Sequence, residues 1–237
     1  MQNILNKVIN YKSRRIGIIF FLSKNRRIIY TFLVILSYAL LYFLVDHSSQ
    51  SLVAHDEGLY ARRSRLVMES FNWFSIPFIS PHHKTIGSYW FIALSIKLFG
   101  NSELALRLPS ILASFISLFI SYFIALKISN KKSALISVFS LSSMPLWIQY
   151  SRYASPDIIF VLCFLLVIFF YLNFLEANKS INKYFYIFFS GLFISCSFFI
   201  RSYMVIVPLI GLSPFLIFNF LKNKIIYTHL FISGIIS

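Results

Sequence analysis

Three carboxylates and a few cations in this chain have types and positions suited to chemistry. Asp56 and Glu57 stand side by side in "AHDEGLYARRSRLVMES" (Ala54–Ser70), and Asp157 stands in "SRYASPDIIF" (Ser151–Phe160). Only 7 of the 237 residues are acidic, so composition alone does not account for an adjacent pair. A carboxylate beside a reacting hydroxyl can serve as general base, an effect on the order of 10²–10⁴-fold. Lys84, Arg152 and Arg201 are cations that could surround an anion, and an arginine fork matches phosphate geometry. His82 and His83 precede Lys84, and His55 precedes Asp56. Imidazole with carboxylate suits a divalent metal, which makes His83 and Asp157 candidate ligands. Each residue also has a plainer reading. Asp56 can cap a helix opening near Glu57, where the dipole and the free N–H groups favour acids. Asp157, next to Pro156, can be an interfacial cap. The arginines can snorkel, and adjacent histidines are commonly surface residues.

The elements that must position these groups are written in the composition. The chain is 58% hydrophobic and 12% charged, against roughly 45–50% and about 25% for a soluble domain. Its apolar residues come in runs near the roughly 20 that span a bilayer core. The expected fold is therefore an all-α polytopic membrane protein of about six to seven transmembrane helices. Predicted spans are Ile28–Val45, Leu108–Leu126, Ser133–Tyr150, Ile158–Leu175, Tyr184–Ile200 and Tyr203–Leu221, with a seventh beginning at Ile225 and cut short at Ser237. That short last run predicts the front portion of a longer protein. The net charge of +15 is spread between the apolar runs, so topology accounts for it and nucleic acid is excluded as a partner. Cys163 and Cys196 fall inside apolar runs and read as core packers without metal spacing. The patch Ile16–Leu22 lacks the cleavage site of a signal peptide.

Sidedness follows from Lys and Arg. The basic segment 1–27 precedes the first span, 28–45, and is expected to be cytoplasmic. Counting spans, Lys127, Lys131 and Lys132, then Lys179 with Lys183, and Lys222 with Lys224, also fall inside; the short outer loops hold Arg152 and Arg201. One segment governs this register. "SYWFIALSIKLFG" (Ser88–Gly100) is apolar but short and interrupted by Lys97, which suits an interfacial helix better than a span. With that choice Asp56, Glu57 and Asp157 share the outer side. The outer segment 46–107 is then long and carries two surface helices, the first near Glu57 with Leu59, Leu66 and Val67 at helical spacing. Its Tyr60, Trp73, Tyr89 and Trp90 suit the headgroup region. Outer carboxylates, possible metal ligands and cations at headgroup depth fit an enzyme that handles a lipid-linked phosphate.

The order of "HDEGLYARRSRLVMES", "HHKTIGSYWFIALSIKLFGNSELALRLPS" and "RYASPDIIF" resembles the lipid-linked-sugar glycosyltransferases of the C-type membrane superfamily. The branch is that of the protein O-mannosyltransferases and the lipid A aminoarabinose transferase. The likeness covers roughly Val45 to Phe218. It implies Asp56 as catalytic base or acceptor-orienting group, with Glu57 its neighbour, and Asp157 as a second outer aspartate for metal or acceptor. It implies Lys84 on the lipid phosphate; Arg201, Arg152 and Tyr60 are further candidates there. It also implies a juxtamembrane helix at Ser88–Gly100, and further spans beyond this chain. The chain departs from the pattern at Lys84–Thr85 where the family often has Lys-Pro, at His83 where an acid often stands, and at Arg201 where a lysine often stands.

The expected reaction moves a sugar from a polyprenyl-phosphate donor to a lipid, protein or glycan acceptor at the outer face of a bacterial inner membrane, with inversion. The expected cofactor is at most a divalent metal ion. Rival readings are a transporter or flippase of a lipid-linked substrate, which would place charges within the spans, a structural membrane subunit, and an inactive fragment of the transferase.

Overall fold

The structure is a computed structural model that describes residues 30–31, 33–35, 37–38, 52, 56–70, 73–74, 85–178, 180–207, 209–210 and 213. The chain divides into two units, Met1–Val45 and Asp46–Ser237. In the first, the described residues between 30 and 38 are helical. The basic segment 1–27, most of the predicted span Ile28–Val45, the run after Ile225 and most of Tyr203–Leu221 lie outside the described residues.

Among the described residues the second unit holds seven α-helices: α1 (Asp56–Ser70), α2 (Gly87–Phe99), α3 (Glu103–Ile128), α4 (Lys131–Ser143), α5 (Pro145–Arg152), α6 (Asp157–Glu176) and α7 (Ser180–Arg201), followed by a 3-10 turn, Ser202–Val205. The chain is an all-α polytopic membrane protein. Among the described residues three elements are long and apolar enough to cross a bilayer: α3, α6, and α7 with its 3-10 extension. Local chemistry sets their ends. The Ser102 side chain accepts the Ala105 N–H at 3.2 Å, and the Asn130 side chain accepts the Lys132 and Ser133 N–H groups at 3.0 Å each. Gly100, at φ 85°, ends α2 in a left-handed conformation that a side chain would strain.

The predicted span Ser133–Tyr150 needs correction, because it is two helices. Pro145 has no N–H to continue α4, and its ring pushes Met144 to an extended φ −67°, ψ 127°. The same proline then suits the first position of α5. Both pieces pack on α3 and together return the chain to the end of the bundle where α3 began.

That end is tied together by side chains reaching backbone. Pro109 lies inside α3 and cannot donate to the carbonyl of Ala105. The Ser95 hydroxyl of α2 donates to that carbonyl instead, at 2.6 Å. The Ser110 hydroxyl donates to Ser155 O at 2.8 Å, and the Thr85 hydroxyl to Ile200 O at 2.6 Å. Thus α2 meets the last turn of α7 at one point and the first turn of α3 at another. Both contacts are at the same end of the bundle, so α2 lies across the span ends. Thirteen residues reach only about 20 Å, short of the roughly 30 Å hydrocarbon core.

Gly87 makes the α2–α7 crossing possible. A Cβ there would stand 2.5 Å from the Phe199 carbonyl oxygen, a backbone atom that cannot swing aside. Gly87→Ala is expected to cost about 1–3 kcal/mol by overpacking and to loosen α2, read as earlier thermal unfolding in detergent. At the opposite end Lys127 contacts Glu176, with Glu176 58% exposed. Glu176→Gln is expected to change stability by less than about 1 kcal/mol, because water and salt screen such pairs.

Candidate functional site

The buried stripe of α1 is Glu57, Tyr60, Ala61, Ser64 and Val67, one face at helical spacing. Leu59 and Leu66, expected on that face, are half-buried beside it. Tyr60 and Tyr89 pack with ring centroids 5.7 Å apart, in a core that includes Val67, Ile92, Ile96 and Leu106. Tyr60, a candidate phosphate contact, is therefore placed in the core at 2% exposure, and Tyr89 is as deeply buried. Trp90 stacks on Phe199, and its indole N–H donates to Trp73 O at 2.5 Å.

A carboxylate on a buried stripe must be satisfied by partners. Glu57 is met by Arg107 of α3, which donates from Nε at 2.7 Å and from Nη2 at 3.1 Å. The Ala154 N–H donates to the same carboxylate at 2.9 Å. Two charges with side chains 4% and 1% exposed thus form a two-pronged pair that also grips the turn after α5. Glu57, a candidate catalytic residue by sequence, thus holds three donors on its carboxylate and is buried. Arg107 is the residue that reading the sequence for chemistry overlooked. Its signal was an arginine opening an apolar span inside "RLPS".

The pinned turn matters because of what it joins. Tyr153–Pro156 is held by Glu57 through Ala154 and by Ser110 through Ser155. Immediately after it, Asp157 opens α6, where the helix dipole favours an acid. Asp157 contacts Arg201, the last residue of α7. The two side chains are 32% and 26% exposed, so the protein does not enclose the pair. Ser202 follows at φ 49°, a left-handed turn that ends α7 sharply. Arg152, half-buried, closes α5 five positions before Asp157.

Asp56 begins α1, one residue before the pinned Glu57. The first helical residue of α1, the first of α6 and the last of α7 therefore gather at one end of the bundle. His82, His83 and Lys84 lie outside the described residues; Thr85, next in sequence, is bonded to Ile200, the neighbour of Arg201. Among the described residues no three His, Cys, Asp or Glu side chains come together as a metal site, and Asp157 already faces a guanidinium.

The comparisons agree with this architecture. The family model described as dolichyl-phosphate-mannose-protein mannosyltransferase matches residues 83–237. The chain is 30% identical over 141 residues to the undecaprenyl phosphate-alpha-4-amino-4-deoxy-L-arabinose arabinosyl transferase of Wigglesworthia glossinidia brevipalpis, across 57% of this chain and 25% of that protein. It is similar in fold to ArnT from Cupriavidus metallidurans in the apo state, with a TM-score of 0.72 at 18% identity, over 86% of this chain and 39% of that one. The same protein bound to undecaprenyl phosphate gives 0.73 at 19%, over 86% and 38%. The chain thus spans about a quarter to two-fifths of the length of these relatives.

Proposed function

The chain belongs to the dolichyl-phosphate-mannose-protein mannosyltransferase family, and from that premise we propose that it carries the membrane-surface site of a glycosyltransferase. The enzyme moves a sugar from a polyprenyl-phosphate donor to a lipid, protein or glycan acceptor. The observation that carries this reading is the gathering of α1's first residue, Asp157 and Arg201 at one end of a bundle of spans. A lipid-linked phosphate presents its headgroup at that depth.

In this reading an acceptor oxygen attacks the anomeric carbon of the sugar. The bond from that carbon to the phosphate oxygen breaks, and the configuration inverts. Asp56 takes the proton of a hydroxyl acceptor. Asp157 orients the acceptor. Arg201 and Lys84, with Arg152 at the same level, stabilise the charge that grows on the leaving phosphate. Glu57 and Arg107 hold the two aspartate-bearing segments in register. A divalent metal would rest on His83 and Asp157; since Asp157 is already engaged by Arg201, no step is routed through one.

The site end faces the periplasm of a bacterial inner membrane, with the N-terminus cytoplasmic, as the distribution of Lys and Arg supports. Residues 1–27 are then the cytoplasmic leader, 28–45 the first span, 46–107 the outer segment with α1 and α2, and 108–237 the bundle. The test is incubation of membranes holding the full-length protein with labelled polyprenyl-phosphate sugars, followed by identification of the labelled product. Transfer to lipid, protein or glycan supports the reading, and donor consumption with none of these products overturns it.

A further inference from the structure

Two of the predicted site residues, Asp157 and Arg201, are in direct contact, so the guanidinium suited to a phosphate faces the chain's own carboxylate. The pair differs in kind from Glu57–Arg107. Its side chains are 32% and 26% exposed against 1% and 4%, and a part-exposed ion pair is weakly held. The backbones beneath it are fixed. Asp157 follows a turn gripped at Ala154 and Ser155, and Arg201 follows Ile200, whose carbonyl is bonded to Thr85. Side chains can exchange partners here without any helix moving.

We infer that Asp157 is an internal stand-in for the lipid phosphate at Arg201: in the ligand-free protein its carboxylate occupies the anion position, and an arriving polyprenyl phosphate displaces it. The inference rests on the reading of Arg201 as a phosphate contact and adds an order of events to it. A phosphate monoester offers a guanidinium three free oxygens and about −1.5 to −2 charge, whereas the donor's diester, like a carboxylate, offers two oxygens and one charge. Exchange onto Arg201 is therefore near balance for the donor's diester, which its lipid anchor holds at this depth, and favourable for the released monoester. Once displaced, Asp157 turns from ion-pair partner into a carboxylate free to accept a hydrogen bond from the acceptor. Donor arrival therefore unmasks the acceptor-orienting group, and the donor binds first.

The test is binding of undecaprenyl phosphate to the purified full-length protein in detergent, with thermal unfolding measured alongside. Asp157→Asn removes the competing charge and is expected to tighten binding about 2–5-fold, the worth of a part-exposed ion pair. Arg201→Ala is expected to weaken binding, and Asp157→Asn should have no effect in that background. A merely structural Asp157 would lower the melting temperature and weaken binding together. If Asp157→Asn leaves binding unchanged or weaker while Arg201→Ala still weakens it, the stand-in is overturned and the phosphate contact survives. If Arg201→Ala changes nothing, or the wild type does not bind, the phosphate contact falls with it. Should Asp157→Asn not fold, Asp157→Ser is read in the same way, and steady-state kinetics decide: donor-first order supports the inference and random order overturns it.

Discussion

Asp56→Asn is expected to lower sugar transfer by about 10²–10⁴-fold, the worth of a positioned general base, while the protein inserts and unfolds as the wild type does. Asp56 opens α1, and the next residue, Glu57, is clamped between α3 and the turn before α6. The backbone at position 56 is therefore held whatever its side chain, so asparagine removes basicity with little structural consequence. Asparagine also caps a helix about as well as aspartate. Transfer assays with labelled donor, beside a melting curve in detergent, separate the outcomes. Transfer at the wild-type rate would remove Asp56 as the base. Lost transfer with an equally lost melting transition would show only that the residue caps α1. With a phosphate as acceptor the proton has no role to play, and the loss should shrink to a modest positioning effect. The same variant therefore reports on the acceptor.

Sequence legibility divided along the line between local and tertiary information. The spans α3, α6 and α7 followed from apolar run length, and the surface placement of α2 from thirteen residues and one lysine. The shared level of Asp157 and Arg201 followed from counting crossings by charge, but their contact did not, because no sequence pattern states which span ends adjoin. The break at Pro145 was visible as a residue and outweighed by the apolar run around it. Tyr60 was misplaced for a related reason. Leu59 and Leu66 suggested one apolar face for α1, whereas the face that is buried contains a glutamate and a serine. A carboxylate belongs in a core only when a distant chain segment brings its counter-charge, and Arg107 stands fifty residues away. Nothing within α1 announces that partner.

Removing either member of the Glu57–Arg107 pair should be the most damaging single change to the fold. A buried ion pair contributes little net stability against an apolar replacement, yet taking away one partner strands the other charge and costs about 3–5 kcal/mol. Arg107→Ala takes both guanidinium donors from the carboxylate, while the Ala154 N–H remains. Glu57→Gln keeps one acceptor for that N–H but takes the paired carboxylate from a guanidinium that is 4% exposed. Arg107→Lys preserves the charge and loses the fork, so it should fall between wild type and Arg107→Ala. A double variant, Glu57→Met with Arg107→Met, should be less damaging than the two single losses summed, since no charge is stranded. It still leaves the Ala154 N–H without its acceptor, worth about 1–3 kcal/mol. Thermal unfolding of the four variants in detergent gives the ordering. Transfer activity should fall with it at temperatures where the variants remain folded, because the pair grips the turn that presents Asp157. Near-wild-type melting for Arg107→Ala would mean that the carboxylate finds other partners. The two aspartate-bearing segments would then owe their registry to the Ser95–Ala105 and Ser110–Ser155 bonds instead.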